Sequence, residues 1–275
     1  MRIAVIGHVE HVTLGRVPAV PRTGEIAHLQ DPRFLPGGGG GIAFFQLTRS
    51  PAEVLLYTAL GDDDAASAVH GRLGATGARV FVVQRRAPHT RDLVLITPDG
   101  ERTIVVVGEP LHPERADPLP WERLSSCDAA YFTAQDPAAL AAARAARVLV
   151  VTARRREALF RSGVRPDVVV GSALDPHEAF TLDDFPPEQR PVAVVMTEGA
   201  AGGTVSTAEG VRRFPAPQRP ERGGGAYGAG DSFAGALTYF LAAGMPVIEA
   251  CARAAPYGAA VLGTLDPLEA QQLLA

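Results

Sequence analysis

The chain has 275 residues, 47% hydrophobic and 20% charged, enough apolar material for one large core, either a single domain or a domain with a small appendage. A net charge of −4 argues against nucleic acid as the main partner, and no apolar run reaches transmembrane length, which argues against a membrane. All 26 basic residues are Arg, so P-loop lysine and Schiff-base chemistry are excluded, and any phosphate must be met by backbone amides, Arg and Mg²⁺.

In chain order, Arg2-Ile-Ala-Val-Ile reads as a strand entered within two residues of Met1, which leaves no room for a signal peptide. Residues from about 9 to 35 read as short strands and turns without helices. His8 and His11, as lone histidines, read as structural. The run Gly37-Gly-Gly-Gly-Gly41 precedes Ile-Ala-Phe-Phe-Gln-Leu. A linker is not expected inside a compact domain. A dinucleotide fingerprint with Asp62 as the ribose acid is disfavoured, because Asp-Pro-Arg-Phe-Leu-Pro, not an apolar strand, comes before it.

Further strands are expected at Glu53-Val-Leu-Leu-Tyr, Arg79-Val-Phe-Val-Val, Ala129-Ala-Tyr-Phe, Val148-Leu-Val-Val, Asp167-Val-Val-Val and Val192-Ala-Val-Val-Met. Several are continuous apolar runs, as parallel strands covered on both faces require. Asp62-Asp-Asp64 reads as an acidic helix start rather than a metal site. Residues from about 90 to 107 form a second stretch without helices, and the proline-rich segment from Glu109 to Pro120 reads as a connector. Asp136-Pro137 opens a helix, with Asp at the N-cap and Pro at the first position. Arg154-Arg-Arg156 reads as a solvated turn. Cys127 and Cys251 are too few for a disulfide framework and lack metal-site spacing, so a reducing cytoplasm is expected. The alternation of strand and helix predicts a layered α/β domain.

Near the C-terminus, Gly223-Gly-Gly-Ala-Tyr-Gly-Ala-Gly-Asp231 runs into a helix marked by Phe233, Leu237 and Phe240-Leu241 and stopped by Gly244 and Pro246. Glycines let successive N–H groups converge, and the helix N-terminus adds partial positive charge, so this is an anion site. A carboxylate at its mouth suits a base that takes a proton from a hydroxyl attacking a phosphoryl group. The plainer alternative makes Asp231 an N-cap behind a flexible loop.

Gly228-Ala229-Gly230-Asp231 with Ser232-Phe233 and Gly235-Ala236 resembles the C-terminal signature of the PfkB (ribokinase-like) carbohydrate and nucleoside kinases. The resemblance continues collinearly through Gly7, Pro21-Arg-Thr-Gly24-Glu25, Pro36-Gly37-Gly38, Ala59-Leu-Gly61-Asp62-Asp63, Pro98-Asp-Gly100-Glu-Arg102-Thr and Thr197-Glu-Gly199-Ala-Ala-Gly202-Gly203. It implies a single three-layer α/β/α ribokinase-like domain over residues 1–275, with a mostly parallel central sheet. Segments of about 9–35 and 90–107 would form a small β-sheet lid. It further implies an ATP- and Mg²⁺-dependent kinase acting on a hydroxyl of a small-molecule substrate, a sugar or nucleoside, with homodimerisation through the lid.

By the same resemblance Asp231 is the catalytic base, and the amides of Gly228, Ala229 and Gly230 form the anion hole. Thr197, Gly199 and Gly202 line the nucleotide loop. The family's Asn-x-x-Glu near a strand end corresponds to Ser172-Ala-Leu-Asp175, with Asp175, or Glu178 in competition, organising Mg²⁺ through water. Read alone, Asp175 could equally cap a helix begun by Pro176. Gly37, Gly38 and Gly39 bring amides to substrate hydroxyls.

The substrate side departs from the family. Its sugar-binding Asp falls at Val12, its Asn at Ile42, and its Asp-Thr pair at Gly225-Ala226, which weakens a ribose- or fructose-like assignment. Glu10 or His11 are the candidate substitutes, and Phe44, Phe45 or Tyr131 the candidates to stack a base. A binder or sensor that keeps the fold without catalysis is the alternative from another class.

Overall fold

The computed structural model describes residues 1–218 and 225–275. In chain order its elements are β1 (Arg2–Ile6), β2 (Glu10–Arg16), β3 (Gln30–Gly37), α1 (Gly38–Thr48), β4 (Glu53–Leu60), α2 (Asp64–Gly74), β5 (Arg79–Gln84), β6 (Arg91–Ile96) and β7 (Arg102–Val107). There follow β8 (Ala129–Phe132), α3 (Pro137–Ala143), β9 (Val148–Thr152), α4 (Arg156–Ser162), β10 (Val168–Ser172), β11 (Ala193–Thr197), β12 (Gly203–Thr207), β13 (Gly210–Phe214), α5 (Ala229–Ala242), α6 (Val247–Ala260) and α7 (Pro267–Ala270).

The central sheet has nine strands in the order β13-β12-β11-β10-β9-β8-β1-β4-β5. From β5 to β11 every pairing is parallel, and only β12 and β13 run antiparallel, at one edge. The strand alternation divides the core into two layers. Ile3 and Val5 pack with Phe44, Leu47, Phe233, Leu237, Cys251 and Ala254 on one face. Ala4 and Ile6 pack with Leu140, Leu159, Trp121 and Phe132 on the other. Strands covered on both faces must be apolar throughout, which is why the seven expected runs coincide with the seven parallel strands.

Helix starts follow local chemistry. The Asp63 carboxylate accepts the Ala66 N–H at α2, and Asp136 accepts the Ala138 and Ala139 N–H groups at α3. Asp63 thus serves the acidic helix start read from Asp62-Asp-Asp64.

A second sheet, in the order β3-β2-β6-β7, is built from the two helix-free stretches. Its inner face joins the body through Val12, Leu14, Leu35, Val94 and Ile96 against Ile42, Tyr227 and Leu268. Val12 and Ile42, where the family carries polar residues, are therefore fully buried and hold this sheet to the body. The outer strand β7 leaves Ile104, Val105, Val106 and Val107 exposed. Among the described residues no helix is long and apolar enough to cross a membrane.

Candidate active site

The C-terminal ends of the parallel strands and the N-termini of α1 and α5 meet at one place. Gly228 is the N-cap of α5 and adopts φ 79°, a left-handed path that favours glycine and turns the chain into the helix just ahead of Asp231. Asp231 is therefore inside the first turn and makes no side-chain cap, which overturns the N-cap reading. The first N–H groups of the helix, at Ala229 and Gly230, precede the first intrahelical bond, Ser232 N–H to the Gly228 carbonyl at 2.9 Å. Gly223 and Gly224 lie outside the described residues. Ala226 N–H donates to the Gly100 carbonyl (3.1 Å), tying this loop to the β6–β7 hairpin.

Asp231 is partly buried, and its carboxylate accepts no hydrogen bond from a described residue. Burial pushes its pKa up to about 6, and the charge of Glu178 adds to the rise, while Arg154, Arg102 and Arg155 oppose it. The α1 N-terminus comes so near that a Cβ on Gly39 would stand 3.1 Å from Asp231 Oδ1 and 2.9 Å from Thr133 Oγ1. The two helices are clamped by Gln271, whose Nε2 donates to the Ile42 carbonyl (2.9 Å) and Ser232 Oγ (3.2 Å).

On the acceptor side, Gly38 N–H donates to Tyr227 Oη (3.1 Å) and Gly39 N–H to His8 Nε2 (3.3 Å). A Cβ on Gly38 would lie 2.9 Å from the His8 ring and 3.0 Å from Glu10 Oε2, whereas one on Gly37 would strike Tyr227. Glu10 is buried and hydrogen-bonded to Asp92. Burial and that second carboxyl hold its proton to well above the usual carboxylate range. His8 is kept neutral by burial and by Arg155. His11, one residue further along β2, points to the opposite face, where it stacks on Phe34 at 4.1 Å; the structure does not bring it to Asp231. Phe44 and Tyr131 are fully buried in the core and Phe45 packs against it, so none is placed to stack a base.

The Arg154-Arg-Arg156 turn is not simply solvated. Its position at the end of β9 carries Arg154 to Asp175 Oδ2 (2.7 Å) and Glu178 Oε1 (2.5 Å), and Arg155 to the Thr133 carbonyl (2.8 Å). Arg154 and Arg156 are exposed, and Arg156 lies 4.4 Å over the Phe180 ring.

On the nucleotide side, Ser172 and Thr197 are register partners at the ends of β10 and β11, and Ala173 N–H donates to the Thr197 carbonyl (2.9 Å). Gly199 and Gly202 shape the turn into β12, closed by Glu198 N–H to the Gly202 carbonyl (2.7 Å). Asp175 caps no helix: residues 173–178 form turns, with His177 N–H donating to Asp175 Oδ1 (2.9 Å). That bond and Arg154 hold the Asp175 carboxyl below its usual range. Glu178 Oε2 accepts the Ser172 N–H (3.0 Å). Each carboxylate keeps lone pairs beyond these bonds. Both are oxygen donors of the kind Mg²⁺ takes directly or through water, although both already engage Arg154.

Sequence reasoning missed Asp92, His112, Arg154, Arg155 and Gln271. No local motif marks them; Asp92 comes from strand β6, and the others reach the site through a turn or connector.

Residues 177–270 match the model of the pfkB family carbohydrate kinases. No curated protein sequence matches the chain. The fold is similar to that of ribokinase from Thermotoga maritima, with a TM-score of 0.78 and 17% identity over 98% of this chain and 95% of that one. It is similar to the Methanocaldococcus jannaschii nucleoside kinase (TM-score 0.74, 14% identity, 99% and 94% covered). It also resembles Escherichia coli phosphofructokinase-2 (0.73, 15%, 96% and 93%). The PfkB resemblance is thus borne out by the family match over residues 177–270 and by a ribokinase-like fold along the chain.

Proposed function

We propose that the protein is an ATP- and Mg²⁺-dependent phosphotransferase that phosphorylates a hydroxyl of a small molecule, a sugar or sugar derivative in preference to a nucleoside. The observation that carries this is the Asp231 carboxylate: partly exposed, uncapped, raised to about 6, and set among the first N–H groups of α5. At neutral pH such a carboxylate is ionised yet basic enough to take a proton, the condition for a general base.

Asp231 takes the proton of the attacking hydroxyl at a carboxylate oxygen. The Ala229 and Gly230 amides, with Gly228 setting their path, donate to the transferring phosphoryl oxygens, where charge is spread. Thr197, Gly199 and Gly202 line the nucleotide, next to Ser172. Asp175 and Glu178 would hold Mg²⁺ through water, and the ion would supply positive charge to offset that of the nucleotide phosphates. Gly37, Gly38, Gly39, His8 and Glu10 position the acceptor. The small sheet acts as its lid, excluding water.

A sugar is favoured over a nucleoside because the rings available for base stacking lie in the core. Val12 and Ile42 now serve packing, so the sensor reading loses part of its support. We further propose a homodimer through the β7 edge, whose exposed Ile104–Val107 run is a row of apolar side chains on an edge strand paired only to β6. Free, buried Cys127 and Cys251 support a reducing cytoplasm.

The test is ADP release from Mg-ATP over a panel of sugars, sugar acids, sugar phosphates and nucleosides. Turnover on one class, lost in Asp231→Asn, supports the phosphotransferase. Silence across the panel with ATP still bound favours the sensor.

A further inference from the structure

Arg155 is a half-buried cation that no carboxylate contacts directly, although the charges of Glu10 and Asp231 act on it from a distance. Its two contacts are the Thr133 carbonyl and, at 3.3 Å, the Nδ1 edge of His8. Because Gly39 N–H donates to His8 Nε2, the ring proton of neutral His8 belongs on Nδ1, facing the Thr133 carbonyl. A guanidinium N–H pointing at that edge meets another donor and remains unsatisfied. Glu10 is pushed towards its protonated form by burial and by Asp92, and it forms no direct ion pair with Arg155. Arg154 beside it is committed to Asp175 and Glu178.

The second observation is independent. His112 stands in the connector between the lid and β8, with its ring 5.0 Å from that of His8. It is 8% exposed, and neither Nδ1 nor Nε2 has a partner. Burial and the charge of Arg155 keep the ring neutral, with one N–H to donate. Buried polar atoms without partners are costly and mark a place where a ligand completes the bonds. A guanidinium without a direct ion pair and an imidazole without a partner, both beside the His8 ring, are complementary to negative charge.

Resting on the phosphotransferase reading, we propose that the acceptor carries an anionic group, a carboxylate or a phosphate, bound between Arg155 and the His112 ring while its hydroxyl lies at Asp231.

The test titrates the full chain with sodium acetate and, separately, inorganic phosphate, following the His112 imidazole resonances by NMR. The expected result is a saturable His112 shift with at least one anion, and the anion that acts at lower concentration identifies the group. Arg155→Met weakens the response at least tenfold, and Arg155→Lys retains it. Arg155→Gln, which can keep the bond to Thr133, serves if the Met variant fails to fold. No saturable His112 shift with either anion, or one unchanged in Arg155→Met and Arg155→Gln, overturns the proposal. Efficient turnover of an uncharged sugar with a KM untouched in these variants also overturns it, and leaves the phosphotransferase reading standing. A saturable His112 response without ADP release on any acceptor supports the anion site while removing the phosphotransferase.

Discussion

Gly39, in the first turn of α1, faces Asp231, in the first turn of α5, so closely that one added methyl group would stand 3.1 Å from Oδ1. In the proposed reaction the acceptor hydroxyl lies in the space between them. Gly39→Ala should therefore cut kcat/KM by roughly 10- to 100-fold, since small displacements of reacting groups cost that much. Its melting point should move little, because Ala suits a helix better than Gly by about 0.5–1 kcal/mol and offsets the clash with Thr133. Thermal melts beside kinetics check both parts.

The raised pKa of Asp231 has a cost to folding. The unfolded carboxyl titrates at 3.8 and the folded one at about 6, so the proton is held more tightly when folded. Stability from this group is full at acidic pH and is lost as pH rises from about 4 through 6. Asp231→Asn should accordingly be more stable than wild type at pH 8, by about 2 kcal/mol after allowing for partial exposure, and the difference should vanish below pH 4. Urea melts at pH 4 and pH 8 measure it; equal stabilities at pH 8 would remove the burial argument.

Arg154 neutralises Glu178, whose charge would otherwise raise Asp231 further. Arg154→Met should move the acid limb of the kcat/KM profile upward in pH. Activity should fall about tenfold at pH 6 and less than about threefold at pH 8, the pattern expected when a nearby cation is lost. A loss equal at both pH values would place Arg154 in another role.

The exposed face of β7 predicts association. The double variant Ile104→Glu, Val106→Glu should sediment as a monomer where the parent sediments as a dimer. The fold of the single chain should be kept, because both side chains are exposed on it. A monomeric parent chain would contradict the proposed interface.

The seven parallel strands were legible because burial on both faces forces continuous apolar runs such as Val148–Val151. The antiparallel edge was not: Gly203–Thr207 and Gly210–Phe214 mix Gly, Thr, Ser and Arg, since an edge strand needs no unbroken apolar run. The helix start at Gly228–Asp231 was legible because glycine geometry and a carboxylate leave a local signature. Arg155 and His112 were not, because a residue in a turn or connector becomes part of a site only through tertiary placement. The base-stacking assignment to Phe44 and Tyr131 failed for the same reason: an aromatic residue beside a motif in sequence can face the core.

The most direct test of the account is turnover and nucleotide affinity of Asp231→Asn, with the wild-type pH profile alongside. The account predicts kcat lower by about 10²–10⁴-fold, an ATP Kd within about twofold of wild type, and a wild-type acid limb near pH 6. Normal turnover in the variant, or a wild-type rate flat from pH 5 to 8, would contradict the assignment of Asp231 as the base.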